Sequence, residues 1–196
     1  EPLKSTDWEG SHSRSEYCKL VESFRNEIAN GNIYQVNACR VLSNNTNESL
    51  AGLVAGFLLH NPARYAGYLR IPGLEIASAS PETFLQRKGQ ILRSSPIKGT
   101  RKPGIAGEFP EKDKSENVMI VDLMRNDLGR VCIEDSISVP RLLSTENLPG
   151  IDHLVSDVQG ELRWGLGWDE ILAATLPPGS VSGAPKSSAI KLIKKY

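Results

Sequence analysis

At 196 residues, with 39% apolar and 23% charged residues, the chain is long enough to bury a full core and has an ordinary globular composition. Its 23 basic and 23 acidic residues cancel, so no broad field favours nucleic acid or an anionic membrane surface. No apolar run approaches the roughly 18 residues of a membrane helix and no signal peptide opens the chain. The three cysteines (Cys18, Cys39, Cys132) have neither CxxC spacing nor an even count, which argues against zinc and disulfides, fits a reducing cytoplasm, and leaves buried or half-buried thiols. One domain over 1–196 is expected, and the opening Glu1-Pro2 without an initiator Met suggests a start inside a longer protein.

Ser13 and Glu16 form a capping box, and Tyr17, Leu20, Val21, Phe24 and Ile28 follow at helical spacing up to Gly31 as C-cap. Ile33 to Leu42 reads as a strand, with Gln35 among apolar neighbours; such a residue is commonly on a solvated face. After a polar turn at Asn44 to Asn47, residues Leu50, Leu53, Val54, Phe57 and Leu58 predict an amphipathic helix that Asn61-Pro62 stops. Two hairpins follow, 65–71 with 74–78 turning at Pro72-Gly73, and 83–87 with 90–94 turning at Lys88-Gly89. Helices followed by an antiparallel meander indicate an α+β fold, antiparallel sheets packed face to face with helices outside.

Ser80-Pro81-Glu82 between the hairpins is a turn with a carboxylate, and Lys98 stands against Gly99 at a strand end. Residues 101–112 form a Gly-, Pro- and charge-rich loop, the segment expected to be most mobile. The longest helical pattern runs from Lys112 to Gly129, with Asp113 and Glu116 on one face and Ile120, Leu123 and Asp127 continuing it. Acidic residues in a first turn can simply oppose the macrodipole; two inward carboxylates one turn apart can also present ligands to Mg²⁺. Val131 to Val139 reads as a strand broken by Pro140, Leu154 to Val158 as another beginning near His153 after a Pro-Gly turn, and 168–175 as a short helix. A glycine- and serine-rich loop, Pro177 to Lys186, then enters the last helix with Pro185 at its first position; it lacks the Gly-Lys-Ser/Thr of a Walker loop.

Six segments in order, Gly31-Asn-Ile-Tyr-Gln35, Ser80-Pro-Glu82, Pro96-Ile-Lys-Gly-Thr100, Glu116 to Val131, His153-Leu-Val-Ser156 and Pro178 to Lys186, resemble the chorismate-utilising enzymes. That group includes anthranilate, aminodeoxychorismate, isochorismate and salicylate synthases. Gln35 stands where the water-using members carry a lysine, and Lys98 where anthranilate synthases usually carry alanine, so the pattern is most similar to component I of aminodeoxychorismate synthase. The resemblance implies amination of chorismate to 4-amino-4-deoxychorismate with ammonia from a glutaminase subunit in a heterodimer, on the para-aminobenzoate branch of folate synthesis.

In that scheme Lys98 attacks the ring at C2 and Glu82 protonates the departing hydroxyl; Gln35, Gly99, Thr100, His153 and Ser180 line the substrate pocket, and Glu116 with Asp113 helps bind Mg²⁺. The N-terminal portion and the C-terminal segment of the family pattern, with a second pair of metal-binding glutamates, are not in the sequence. Anthranilate synthase component I with an unusual lysine, and a non-catalytic truncated homologue that binds a small dianion or a partner, are the competing expectations.

Overall fold

The computed structural model describes residues 8–45, 49–60, 63–148 and 150–196. Parts of three expected turns, at 46–47, 61–62 and 149, lie outside the described residues. The chain divides into two compact units, one of residues 1–30, 38–82 and 196, the other of 31–37 and 83–195.

In the first unit, β1 (Glu9–Gly10) pairs antiparallel with β3 (Leu42–Ser43). Helix α1 (Arg14–Ala29) starts at the expected capping box: Ser13 Oγ accepts from the Glu16 amide and Glu16 Oε2 from the Ser13 amide. Its C-cap is Asn30, one residue before the Gly31 expected there. Helix α2 (Ala51–His60) begins where Glu75 accepts from the Leu50 amide and the Ser49 hydroxyl, so a strand carboxylate satisfies one of the amides at the helix start. The expected apolar stripe is half covered: Leu50, Leu53, Val54 and Phe57 are half-buried, Leu58 is exposed, and none of the helix's ten residues is fully buried. Strands β4 (Tyr65–Ile71) and β5 (Leu74–Ser80) form the first expected hairpin, in register throughout.

The second unit is built on β10 (Ile151–Glu161), an eleven-residue strand with neighbours on both edges. On one edge lie β7 (Ile91–Ser95) and β8 (Ile97–Arg101), separated by Pro96, whose carbonyl accepts from the Ser156 amide. Strand β6 (Thr83–Lys88) pairs with β7 as the second expected hairpin. On the other edge lies β9 (Ser138–Leu148). The segment expected as a strand from Val131 is instead turn and bridge up to Ser138, and Pro140 lies inside β9 rather than ending it. Proline has no amide to donate, and β9 pairs with β10 alone among the described strands, so the edge position tolerates it.

Helix α3 (Glu111–Gly129) packs on the sheet and turns Asn117, Ile120, Val121, Met124, Asp127 and Leu128 inward. Its apolar side chains join Leu92, Val131, Cys132, Val158, Leu162 and Ile171 in one core. Of the cysteines, Cys132 belongs to that core, whereas Cys18 and Cys39 are exposed, against expectation. Burial pushes the Cys132 thiol up to about 11, with the Arg163 charge opposing, so it stays protonated. The loop before α3 is exposed from Lys102 to Glu108; Arg101 Nη1 donates to the Gly107 carbonyl at 2.8 Å, and Phe109 is buried.

Helix α4 (Trp168–Thr175) has the expected bounds. The short helix α5 (Gly179–Ser182), the strand β11 (Gly183–Ala184) and α6 (Lys186–Lys195) complete the chain. The expected strand over 33–42 is reduced in this unit to β2 (Gln35–Val36), which pairs with β11. The fold is α+β with antiparallel sheets, as expected. No helix among the described residues is long and apolar enough to cross a membrane.

Candidate active site

Strand β8 carries Lys98, Gly99 and Thr100 consecutively, and Gly99 determines how they are presented. Its φ is +91°, and a Cβ there would stand 3.0 Å from Asp113 Cβ and 3.1 Å from both Leu154 Cβ and Phe109 Cδ1. Glycine is required because the backbone turns through the left-handed region and presses against α3 at the same point. The ladder between β8 and β10 shifts register there, between His153 and Val155.

Thr100 lies opposite His153, with its Oγ1 3.1 Å from His153 Nδ1. His153 is otherwise buried, so this contact fixes the ring against β8. Lys98, Gly99, Thr100, His153 and Asp113 are thus gathered around the β8–β10 ladder and the first turn of α3. Next to them, Arg101 lies 4.4 Å over the Phe109 ring, and its Nε is 3.5 Å from Asp152 Oδ2.

Gln35 and Ser180 come together at a second place. The main chain of Gln35 pairs with Ala184, and Asn37 Nδ2 donates to the Ser180 carbonyl at 3.2 Å. Gln35 Oε1 is buried and finds no hydrogen-bond partner among the described residues. A buried acceptor without a donor costs about 1–3 kcal/mol, so the site fits a bound N–H or O–H donor. Gly183 permits the pairing, since a Cβ there would collide with the Gln35 carbonyl.

Glu82 belongs to the first unit, in a turn where Ser80 Oγ accepts from the Glu82 amide at 3.3 Å and donates to its carbonyl at 3.2 Å. Of the two candidate metal ligands, Asp113 abuts Gly99, but Glu116 is not turned fully inward. Its Oε1 is 3.7 Å from Lys112 Nζ, while the next residue, Asn117, is completely buried. No group of three or more His, Cys, Asp or Glu converges on a metal position among the described residues. By themselves Glu116 and Asp113 fall well short of the roughly six oxygens that Mg²⁺ takes.

Three polar groupings were not legible as such in the sequence. Asn117 Nδ2 donates to the Leu154 carbonyl at 3.1 Å, and Ser156 Oγ, 2.5 Å from Asn117 Oδ1, accepts from the Leu143 amide. Arg141 holds Asp157 through two 3.0 Å bonds. Asp127 accepts from Lys186 Nζ at 2.9 Å and from the Gly179 amide at 3.0 Å. The helical stripe placed Asp127 on the inward face, but nothing in its spacing revealed a partner fifty-nine residues away.

On an antiparallel α+β scaffold, the family model for chorismate binding enzymes matches residues 1–196, and the chain belongs to that family. Aminodeoxychorismate synthase component 1 of Bacillus subtilis (strain 168) is 35% identical to it over 195 residues, which cover 91% of this chain and 40% of that protein. Anthranilate synthase component 1 of Methanothermobacter thermautotrophicus is 36% identical over 196 residues, covering 93% and 41%. The crystal structure of anthranilate synthase component I from Streptococcus pneumoniae TIGR4 matches with a TM-score of 0.83 at 28% identity, over 96% of this chain and 44% of that one. The chain spans about two fifths of the length of these relatives.

Proposed function

We propose that the chain is part of the catalytic subunit of an aminodeoxychorismate synthase, which aminates chorismate to 4-amino-4-deoxychorismate. The observation that carries this reading is Lys98 on β8, beside Gly99 at positive φ and the Thr100–His153 contact, in a chain of the chorismate binding enzyme family. Lys98, as the free amine, attacks C2; the C2–N bond forms as the C4–O bond breaks, and Glu82 gives its proton to the departing hydroxyl, which leaves as water. Ammonia then bonds to C4 as the C2–N bond to lysine breaks; Lys98 leaves as the amine, and a proton from the new C4 ammonium returns to Glu82, restoring both for the next turnover. Gly99, Thr100, His153 and Ser180 line the substrate, and the unpartnered Gln35 Oε1 suits an N–H donor such as the incoming ammonia.

Mg²⁺ dependence is part of the proposal, with Glu116 and Asp113 as this chain's contribution to a donor set that the full-length protein completes. So are a cytoplasmic location and a glutaminase subunit that supplies the ammonia. The test is incubation of the full-length protein with chorismate, Mg²⁺ and ammonium. It is expected to yield 4-amino-4-deoxychorismate without pyruvate, and Lys98→Ala is expected to lower kcat by roughly three orders of magnitude. The similarity to anthranilate synthase components favours a second reading, in which the same incubation releases anthranilate and pyruvate. That product, or an undiminished rate in Lys98→Ala, overturns the first.

A further inference from the structure

The Asp127–Lys186 pair is buried, with side-chain exposures of 5% and 10%. A buried ion pair is weak evidence for stability, since well-packed apolar residues of similar volume often fold as well or better. Its partners indicate another role. The Lys186 ammonium, at the start of α6, reaches Asp127 Oδ1 on α3 and the carbonyl of Thr175 at the end of α4, both at 2.9 Å. Asp127 Oδ2 takes the amide of Gly179, the first residue of α5. One lysine and one aspartate therefore tie both ends and the first turn of the 176–185 loop to α3.

That loop bears Ser180 and forms the β11 partner of Gln35. A cleft of about 360 Å³ opens beside the pair, lined by Tyr34, Leu123, Asn126, Arg130 and Ser187 among others and by the pair itself, but by none of the candidate catalytic, substrate or metal residues. Gly179, Ser182, Gly183 and Ala184 are buried, so packing shares in holding the loop, and the clamp adds the polar bonds that join its ends to α3.

We propose that Asp127 and Lys186 are positioning residues: their buried clamp holds the 176–185 loop, and through it Ser180 and Gln35, at the distance the substrate requires. The proposal rests on the reading above that Ser180 and Gln35 meet the substrate. Neither clamp residue touches the substrate in this scheme, so its loss is read in geometry rather than in bond-making.

The experiment compares wild-type full-length protein with the Asp127→Leu/Lys186→Met double variant and with Lys186→Arg. The double variant is expected to fold with a Tm close to wild type and to show a KM for chorismate raised about tenfold, with kcat within about threefold. Hydrogen exchange is expected to quicken at 33–37 and 179–184. Lys186→Arg, which keeps a donor for both acceptors, is expected to return KM to within about threefold of wild type. A double variant with wild-type KM and unchanged exchange overturns the proposal. So does one that does not fold, because the pair would then hold the core rather than the loop. Calorimetry separates the two readings: a wild type that does not bind chorismate overturns the function, while the exchange difference still reports on the clamp.

Discussion

At the scale of single residues, Gly99 joins the proposed chemistry to the fold. Its positive φ and its approach to Asp113, Leu154 and Phe109 leave no room for a side chain, so Gly99→Ala combines backbone strain with overpacking. Each effect costs about 1–3 kcal/mol. The variant is expected to lose roughly 3 kcal/mol in urea unfolding, and to lose activity beyond what that instability explains because Lys98 and Thr100 move with the strand. A variant of unchanged stability would show that β8 does not need this contact. The sequence exposed Lys98 and Gly99 through their motif. It could not expose the Asn117–Ser156 contact, because a buried amide beside an acidic residue reads the same as a solvated one until Asn117 is seen to be completely buried and Glu116 only half-buried.

At the scale of elements, β10 organises the second unit, and its pairing with β9 is the least regular part. The register shifts twice, on either side of Asp157, and Pro140 removes a donor in the same stretch. The Arg141 fork on Asp157 spans that gap. Burial pushes the Asp157 carboxyl up, but the bonds from Arg141 and Ser95 and the charges of Arg141 and Arg93 outweigh it and hold the group below the usual carboxylate range. A carboxyl lowered by folding stabilises fully above its unfolded value, near 3.9, and loses that contribution as the pH falls through the lower folded value. Thermal unfolding should therefore fall on acidification below about pH 4 in the wild type and more gently in Arg141→Met. At pH 7 the substitution is expected to cost roughly 1–2 kcal/mol, the exposure of Arg141 (36%) limiting the effect. An acid limb identical in the two proteins would remove Asp157 from this account. The hairpins at Pro72-Gly73 and Lys88-Gly89 and the capped α1 were legible because each carries its own punctuation. Strand β9 was not, because its proline and the positive φ of Leu143 (51°) break the local pattern while β10 supplies the pairing from a distance. The two-residue β2 and β11 were hidden for the same reason: each exists through the other.

At the scale of the molecule, the two units differ in how they bury apolar surface. The second closes a core around Ile120, Leu128, Val158 and Ile171, all within 1% of full burial. In the first, α2 buries none of its residues, and the β4–β5 ribbon has no further strand on either side among the described residues. The register places Leu69 opposite Ile76 and Ile71 opposite Leu74, so these four side chains share one face, each 46–50% exposed. Paired strands with open edges and an apolar face are prone to associate with another copy. The 196-residue stretch, prepared by itself, is therefore expected to sediment as oligomers at concentrations of tens of micromolar. Leu69→Lys with Ile76→Glu keeps a favourable cross-strand pair while charging the face, and is expected to shift the protein to monomer without loss of helical circular dichroism. A wild-type stretch that sediments as a monomer would mean that this face is covered in solution by the chain itself.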